Sequence, residues 1–320
     1  MEKPENLENL ERSINELRNN FVSLTEPHRP ALWRFCLRLT GSAWDAEDLV
    51  QETMMKAFAR LAYLGQVLDM KAYLFRIASN SFIDQIRKTK ILPEELEIAA
   101  EIPNETEKRP AETREAIEIL VKTLPPRQRV IVLLSEVFDF TAAEIATMME
   151  TTEGAIKAAL HRARTSLKAA TTEQMTSEGQ TRTGITPPLP IIERYIDAFN
   201  KLDPEALLAL LDPSVVNDIV GDWEEHGKEQ MKKFSLHYWV LDKTPKWVEY
   251  GIFEGRPVLF GFRKTARHEK TLSEIITLNI ADNRVISQKW YFFNVDMIHY
   301  AAKLLGVPAE THGYRFSEPS

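Results

Sequence analysis

The chain has 320 residues, 44% hydrophobic and 27% charged, with a formal net charge of −7. That length allows two or three domains with ample core, and the negative balance excludes a protein that coats nucleic acid indiscriminately. No apolar run approaches the ~20 residues of a membrane helix, the charged N-terminus lacks a signal-peptide core, and the single cysteine, Cys36, excludes an intramolecular disulfide and a cysteine-rich zinc site. The expectation is a cytoplasmic protein with no membrane partner, no metal and no cofactor.

Leu7–Leu24 reads as a helix without legible chemistry. Pro27 and Pro30 punctuate the chain, and Ala31–Leu39 is a short apolar helix stopped at Thr40-Gly41. Cys36 sits among Trp33, Phe35 and Leu37, which makes it a buried structural thiol rather than a nucleophile. Asp45–Phe58, DAEDLVQETMMKAF, is a helix whose packing face is Ala46, Leu49, Val50, Thr53, Met54, Ala57 and Phe58, continuing to Leu61. Asp48, Gln51, Glu52, Met55 and Ala59 lie opposite, while Asp45 and Glu47 suit the positive helix N-terminus. An acidic face of this kind is either solvated or a dock for a basic partner.

Met70–Lys90 holds another helix, with Phe75, Ala78, Phe82 and Ile86 pointing one way. Tyr73, Arg76, Asn80, Asp84 and Arg87 point another. Aromatic, amide and guanidinium groups on one face can hold unstacked bases; an ordinary amphipathic helix with a basic last turn shows the same pattern. Ile91–Pro110 is acidic and proline-punctuated, as a linker is. After a helix at Ala111–Thr123, Pro125-Pro126 stops one helix and permits the first turn of the next. Val130, Leu133, Leu134 and Val137 are its expected core.

Thr141–Lys168 reads as two short helices around a turn at Glu150–Thr152. Thr141 and Glu144 stand at capping-box spacing, and Thr151 or Thr152 can cap the second helix. Ile156, Leu160, Ala163 and Leu167 recur on one face; Glu153, Lys157, His161, Arg164 and Lys168 recur on another. One face packs and the other meets an anion, the layout of a helix-turn-helix that enters the major groove. Any surface helix with a solvated basic face shares the pattern.

DAEDLVQETMMKAF, then YLFRIASNSFIDQIRK, then LPPRQRVIVLLSEVFDF followed by TAAEIATMMETTEGAIKAALHRARTSLK together resemble the two helical domains of extracytoplasmic-function sigma factors, subunits of bacterial RNA polymerase. The resemblance spans about residues 15–170 and implies roles by position. Asp45, Asp48, Gln51 and Glu52 are then expected to contact core RNA polymerase. Asn80 falls where a flipped base of the minus-ten element is held, with Ser81, Asp84, Arg87 and Lys88 near the strand; capture of an unstacked base makes duplex opening downhill. The loop Leu61–Asp69 is expected to shape that pocket. Thr152, Lys157, His161, Arg162, Arg164 and Lys168 are expected to meet the minus-thirty-five duplex of promoter DNA.

Ala169–Pro190, rich in Thr, Gly and Pro, reads as a second linker. Helices follow at Leu189–Leu211, a β-rich stretch at Ser214–Val220, a helix at Gly227–Trp239, and strands at Lys246–Phe253, Pro257–Arg263, Thr271–Ile280 and Val285–Phe293. Glu254-Gly255-Arg256 and Ala281–Arg284 are hairpin turns, and Asn294–Leu305 closes the chain as a helix. RYIDAFNKLDPEALLALLDPSVV, HGKEQMKKF and the strand run resemble the SnoaL-like cone fold shared with polyketide cyclases and ketosteroid isomerases. Asp218, Asp222, His226, His237 and Tyr238 are positioned to line such a cone, but no spacing fixes a catalytic dyad. Trp223, Trp239, Trp290 and Tyr291 read as core or apolar pocket wall.

The expected fold class is multidomain: two all-α N-terminal domains, the second a helix-turn-helix, followed by an α+β SnoaL-like cone with a curved antiparallel sheet. The expected boundaries are 15–92, a linker at 93–111, 112–171, a linker at 172–187, and 188–318. The expected function is transcription initiation, not catalysis, tuned by the C-terminal domain. That domain is expected to touch the helical domains or their linker, with Glu94–Glu107 facing Arg263, Lys264 and Arg267. Two other readings fit parts of the pattern: a helix-turn-helix regulator without sigma activity, and a SnoaL-like isomerase or cyclase with a regulatory N-terminus.

Overall fold

In the computed structural model, residues 5–60, 69–91, 111–174 and 187–313 are described, and they form two compact units, one helical and one α+β. The expected linker 93–111, apart from Ala111, and the Leu61–Asp69 loop, apart from Asp69, lie outside the described residues. No described helix is long and apolar enough to cross a membrane.

The helical unit opens with α1 (Glu5–Thr25), a single 3-10 turn, and α2 (Arg29–Thr40). Gly41 ends α2 at φ +82°, a left-handed stop that favours glycine. Ser42 caps α3 (Ala43–Ala59) by accepting from the Asp45 amide. The periodic face of α3 is buried from Ala46 to Ala57 as expected, against Leu32, Phe35 and Cys36 of α2 and Leu74, Phe75 and Ala78 of α4 (Met70–Ile91); Phe58 is half-buried, and Leu61 lies outside the described residues. Cys36 is fully buried, and burial, then the charge of Glu47, pushes its thiol up, which keeps it inert. Glu47 is not a solvated dipole partner: it is buried and accepts from Trp33 Nε1 at 3.0 Å.

The second half of this unit comprises α5 (Ala111–Thr123), α6 (Pro126–Glu136), α7 (Ala142–Met148) and α8 (Glu153–Gln174). It shares a core with the first half. Phe138 packs edge-on against Phe35 and Phe75, with centroids 5.4 and 5.0 Å apart, and Phe140 lies 5.4 Å from Phe75. Buried rings are worth about 2 kcal/mol each. Arg129 of α6 is buried and donates to the carbonyls of Leu39, Val121 and Leu124, and Lys71 of α4 donates to Phe138 O at 2.9 Å. Val130, Leu133 and Leu134 are buried as expected, but Val137 is 42% exposed, because α6 has already ended at Glu136.

The second unit starts with α9 (Pro190–Asn200) and α10 (Pro204–Leu210), the latter capped by Asp203. Its sheet has six strands: β1 (Leu211–Ile219), β2 (Trp223–His226), β3 (Lys246–Phe253), β4 (Arg256–Arg263), β5 (Thr271–Ala281) and β6 (Arg284–Tyr291), in the order β2-β1-β6-β5-β4-β3. The expected antiparallel sheet is in fact mixed, since β1 pairs with β6 in parallel. A long excursion joins those two strands, so no tight turn forces them antiparallel. The β5–β6 hairpin turns at Asp282-Asn283, both at positive φ, the conformation of a two-residue turn that follows strand twist. Between β2 and β3 the expected single helix is two, α11 (Lys228–Lys233) and α12 (Ser235–Leu241), broken at Phe234. The expected second linker is shorter than Ala169–Pro190: α8 continues to Gln174 through Ala169-Ala170, good helix formers. Helix α13 (Val295–Leu305) closes the unit and stops at Gly306, φ +68°.

Candidate nucleic-acid interface

Helix α7 begins with a full capping box. Thr141 Oγ1 accepts from the Glu144 amide at 3.3 Å, and Glu144 Oε2 accepts from the Thr141 amide at 2.7 Å. Hydrogen bonds from the Thr141 side chain and backbone hold the Glu144 carboxyl below its usual range. The turn passes through Glu150 at φ +50°, and Thr152 caps α8 by accepting from the Ala155 amide at 3.2 Å. Ile156, Ala159, Leu160 and Ala163 are buried against α6 and α7. Lys157, His161, Arg162, Arg164 and Lys168 are all exposed, as is Thr152.

These cations differ in what engages them. Lys157 pairs with Glu153 at 2.7 Å, one turn earlier, and Arg164 pairs with Glu136 of α6. Exposed pairs of this kind contribute about 0–1 kcal/mol, so a phosphate can displace either carboxylate. The side chains of His161 and Arg162 form no hydrogen bond or ion pair among the described residues. The outer face of α8 is therefore a row of available donors along a rigid, packed helix.

On α4, Asn80, Asp84, Arg87 and Lys88 are exposed, with Arg87 and Asp84 paired at 3.2 Å. Ser81, expected near the strand, is buried instead, and its hydroxyl accepts from Lys56 Nζ at 2.9 Å. It still borders a cavity of about 450 Å³ that lies between the end of α3, α4, the first turn of α6 and the Met149-Glu150 turn. Lys56, Arg60, Arg76, Arg87 and Arg127 line that cavity around Asn80, against the carboxylates of Asp84 and Glu150, so the lining carries a net positive charge. Sequence reading missed Lys56, Arg60 and Arg127, which come from two other parts of the chain; only Arg76 and Arg87 lie on α4 itself.

The acidic face of α3 is mixed. Asp45 and Asp48 are exposed, and Met55 is 71% exposed between them and the helix end. Gln51 and Glu52 are half-buried: Gln51 reaches Glu47, while Glu52 is held by Lys56 at 2.6 Å and by Gln85 at 2.6 Å.

Two family models match in order: Sigma-70 region 2 over residues 24–91, and Sigma-70, region 4 over residues 114–167. The ECF RNA polymerase sigma factor SigL of Mycobacterium tuberculosis is 30% identical over 145 residues, covering 43% of this chain and 81% of that protein. The chain belongs to the ECF sigma factors. SigG of the same organism is 29% identical over 224 residues, 61% of this chain. This sigma factor spans 60% of the length of that relative. The α+β unit is similar in fold to an NTF2-like protein of unknown function from Cytophaga hutchinsonii, at 12% identity and a TM-score of 0.24, covering 35% of this chain and 94% of that one.

The α+β unit of this sigma factor holds a second cavity, of about 530 Å³, inside the cone. Trp223, Tyr238, Trp239 and Trp290 line it. Asp218, Asp222, His226 and His237 do not: His226 and His237 are exposed, and Asp218 pairs with Lys289 at 3.6 Å. Tyr291 is buried in the core rather than in the wall. A polar ladder crosses the cone. Tyr195 donates to Gln288 at 2.9 Å, Gln288 to Asn217 at 2.7 Å, and Asn217 to Glu225 at 2.7 Å. Burial, then the charge of Glu274, pushes the Tyr195 phenol far up, so it remains a neutral donor.

Charged groups close one end of this cavity. Asp242 Oδ2 accepts from Lys246 Nζ at 3.1 Å and from Arg263 Nη1 at 2.9 Å. Burial raises the Asp242 carboxyl, but hydrogen bonds from Thr244 and Lys246 and the charge of Arg263 outweigh it and hold the carboxyl far below its usual range. Arg263 pairs with Asp242 at 2.9 Å and Lys264 with Glu269 at 2.8 Å; the acidic stretch 94–107 expected to face them lies outside the described residues. Glu274 faces the same end, and Gly261 makes room for it: a Cβ at Gly261 would collide with the Glu274 side chain.

Proposed function

We propose that this sigma factor binds core RNA polymerase and directs it to specific promoters. Helix α3 docks on the polymerase through Asp45, Asp48, Gln51 and Glu52. Helix α4 holds the minus-ten strand, with Asn80 at an unstacked base and Asp84, Arg87 and Lys88 along the backbone. Helix α8 lies in the major groove of the minus-thirty-five element through Thr152, Lys157, His161, Arg162, Arg164 and Lys168. The observation that carries this reading is the division of α8, one face packed and the other a run of exposed donors behind a capped turn. Phosphate contacts fix its register, and an arginine paired with a guanine edge supplies specificity.

The basic cavity beside Asn80 supports the second contact. Five cations and two carboxylates around one amide leave a net positive lining that suits a base drawn out of its stack with its phosphates still attached. The C-terminal cone modulates initiation and does no chemistry of its own. The domain limits that go with this reading are 15–92, 112–171 and 188–318. The test is promoter-specific transcription by purified core polymerase over a genomic promoter library, comparing the full chain with residues 1–172. Specific transcripts with the full chain are expected, at altered yield with the shortened one. No transcript and no core binding would overturn the proposal; an unchanged yield on truncation would remove the modulating role.

A further inference from the structure

The cone's cavity ends in polar groups that its own fold leaves under-used. Arg263 reaches it from the end of β4, its guanidinium carbon 5.5 Å from the centre of the Phe292 ring. Among the described residues this guanidinium makes one hydrogen bond, from Nη1 to Asp242, and its Nε is buried without a protein partner. Lys246 is the opposite case. Its Nζ is filled by Trp239 O at 2.6 Å, Asp242 O at 3.0 Å and Asp242 Oδ2 at 3.1 Å. The Glu274 carboxyl makes no hydrogen bond among the described residues, and burial raises it, so it holds a proton more readily than an ordinary glutamic acid. The indole N–H groups of Trp239 and Trp290 are also buried without a protein partner.

The unspent groups are therefore mainly donors, and the walls are flat and apolar. Trp239 and Trp290 pack on Phe199 at centroid distances of 5.0 and 6.0 Å, which fixes both rings. Leu207, Leu236 and Phe293 complete the apolar lining. Buried donors favour a ligand that brings acceptors. One guanidinium remains available, since Lys246 is saturated, and its planar fork matches a carboxylate. A dianionic phosphate would bring one charge too many. We propose that this cavity binds a planar apolar molecule carrying a single carboxylate, with the carboxylate on Arg263 and the flat body against Trp239 and Trp290. A cavity of this size accepts a body of two or three fused rings.

The experiment is a calorimetric titration of the full chain, without polymerase, with 2-naphthoate and with its neutral isostere 2-naphthamide. Naphthoate is expected to bind at least about ten-fold more tightly, the difference a charge-assisted pair supplies in a dry site. Arg263→Gln should abolish that preference, and Arg263→Lys should keep part of it. Because Arg263 also braces Asp242, Trp290→Phe serves as a second variant that touches no ion pair, keeps an aromatic ring and removes one donor. It should weaken naphthoate binding several-fold. Equal affinity for acid and amide, no binding of either, or naphthoate affinity unmoved in both Arg263→Gln and Trp290→Phe would overturn the proposal. None of these outcomes bears on promoter recognition, which is measured separately.

Discussion

The two units use their cations in opposite ways. On α8 the side chains of Lys157, His161, Arg162, Arg164 and Lys168 stand in solvent, held loosely or not at all. In the cone the Lys246 side chain is 1% exposed and Arg263 13%, both locked onto one carboxylate. An exposed row of charge acts along a polyanion and is screened by salt. In the buried pair, Lys246 is spent on its own fold and Arg263 keeps donors only for what enters the cavity, where salt barely reaches. The same residue types are therefore suited to partners of different size, according to their burial.

Each side of that contrast can be broken. Asp242→Asn should have the largest effect, because it leaves Lys246 and Arg263 sharing a low-dielectric site with only the proton-retaining Glu274 carboxyl beside them. We expect a loss of about 3 kcal/mol in the stability of the cone, read by urea unfolding near neutral pH. The folded Asp242 carboxyl lies below its unfolded value, so its contribution is present above the ordinary aspartate range and is lost as pH falls through the folded value. Wild type and Asp242→Asn should accordingly converge in acid.

Arg162→Ala comes next. It should weaken binding of the polymerase complex to promoter duplex roughly ten-fold and flatten the dependence of affinity on salt, read by filter binding at several ionic strengths. Equal affinity and an equal salt slope would place α8 away from the DNA. Thr141→Ala removes one half of the capping box and should cost about 1 kcal/mol in the stability of the helical unit, with the cone unaffected. The smallest effect is expected from Glu274→Gln. A carboxyl whose folded value is raised contributes stability below its unfolded value and loses it as pH rises through the folded one. The variant should therefore melt increasingly higher than wild type as pH rises above the ordinary glutamate range, and at the same temperature below it.

Much of the scaffold was legible in the sequence because it is written locally. The repeat of Ala46, Leu49, Val50, Thr53 and Met54 sets the buried face of α3 whatever lies opposite. Thr141 and Glu144 cap α7 through contacts within four residues. The parallel pairing of β1 with β6 was not legible, since it joins strands about seventy residues apart. Strand β2, four residues reading WEEH, has no apolar alternation to announce it. Polar residues were the least legible. Ser81 on a helix reads alike whether it meets solvent or Lys56, and Arg263 at a strand end reads alike whether it points out or reaches Asp242. The basic cavity beside Asn80 draws Arg60 and Arg127 from separate elements, so no local window contains it.

The ring cluster of Phe35, Phe75, Phe138 and Phe140 has a consequence for how the helical unit comes apart. Spreading its two halves would wet four aromatic faces and take the Leu39 carbonyl from the Arg129 guanidinium, which would keep only those of Val121 and Leu124 in its own half. Such a cost is met only by a surface that re-covers the rings as they separate. The shared ring cluster therefore fixes the spacing of α4 and α8 within the helical unit, and any change in that spacing carries the cost of wetting those faces.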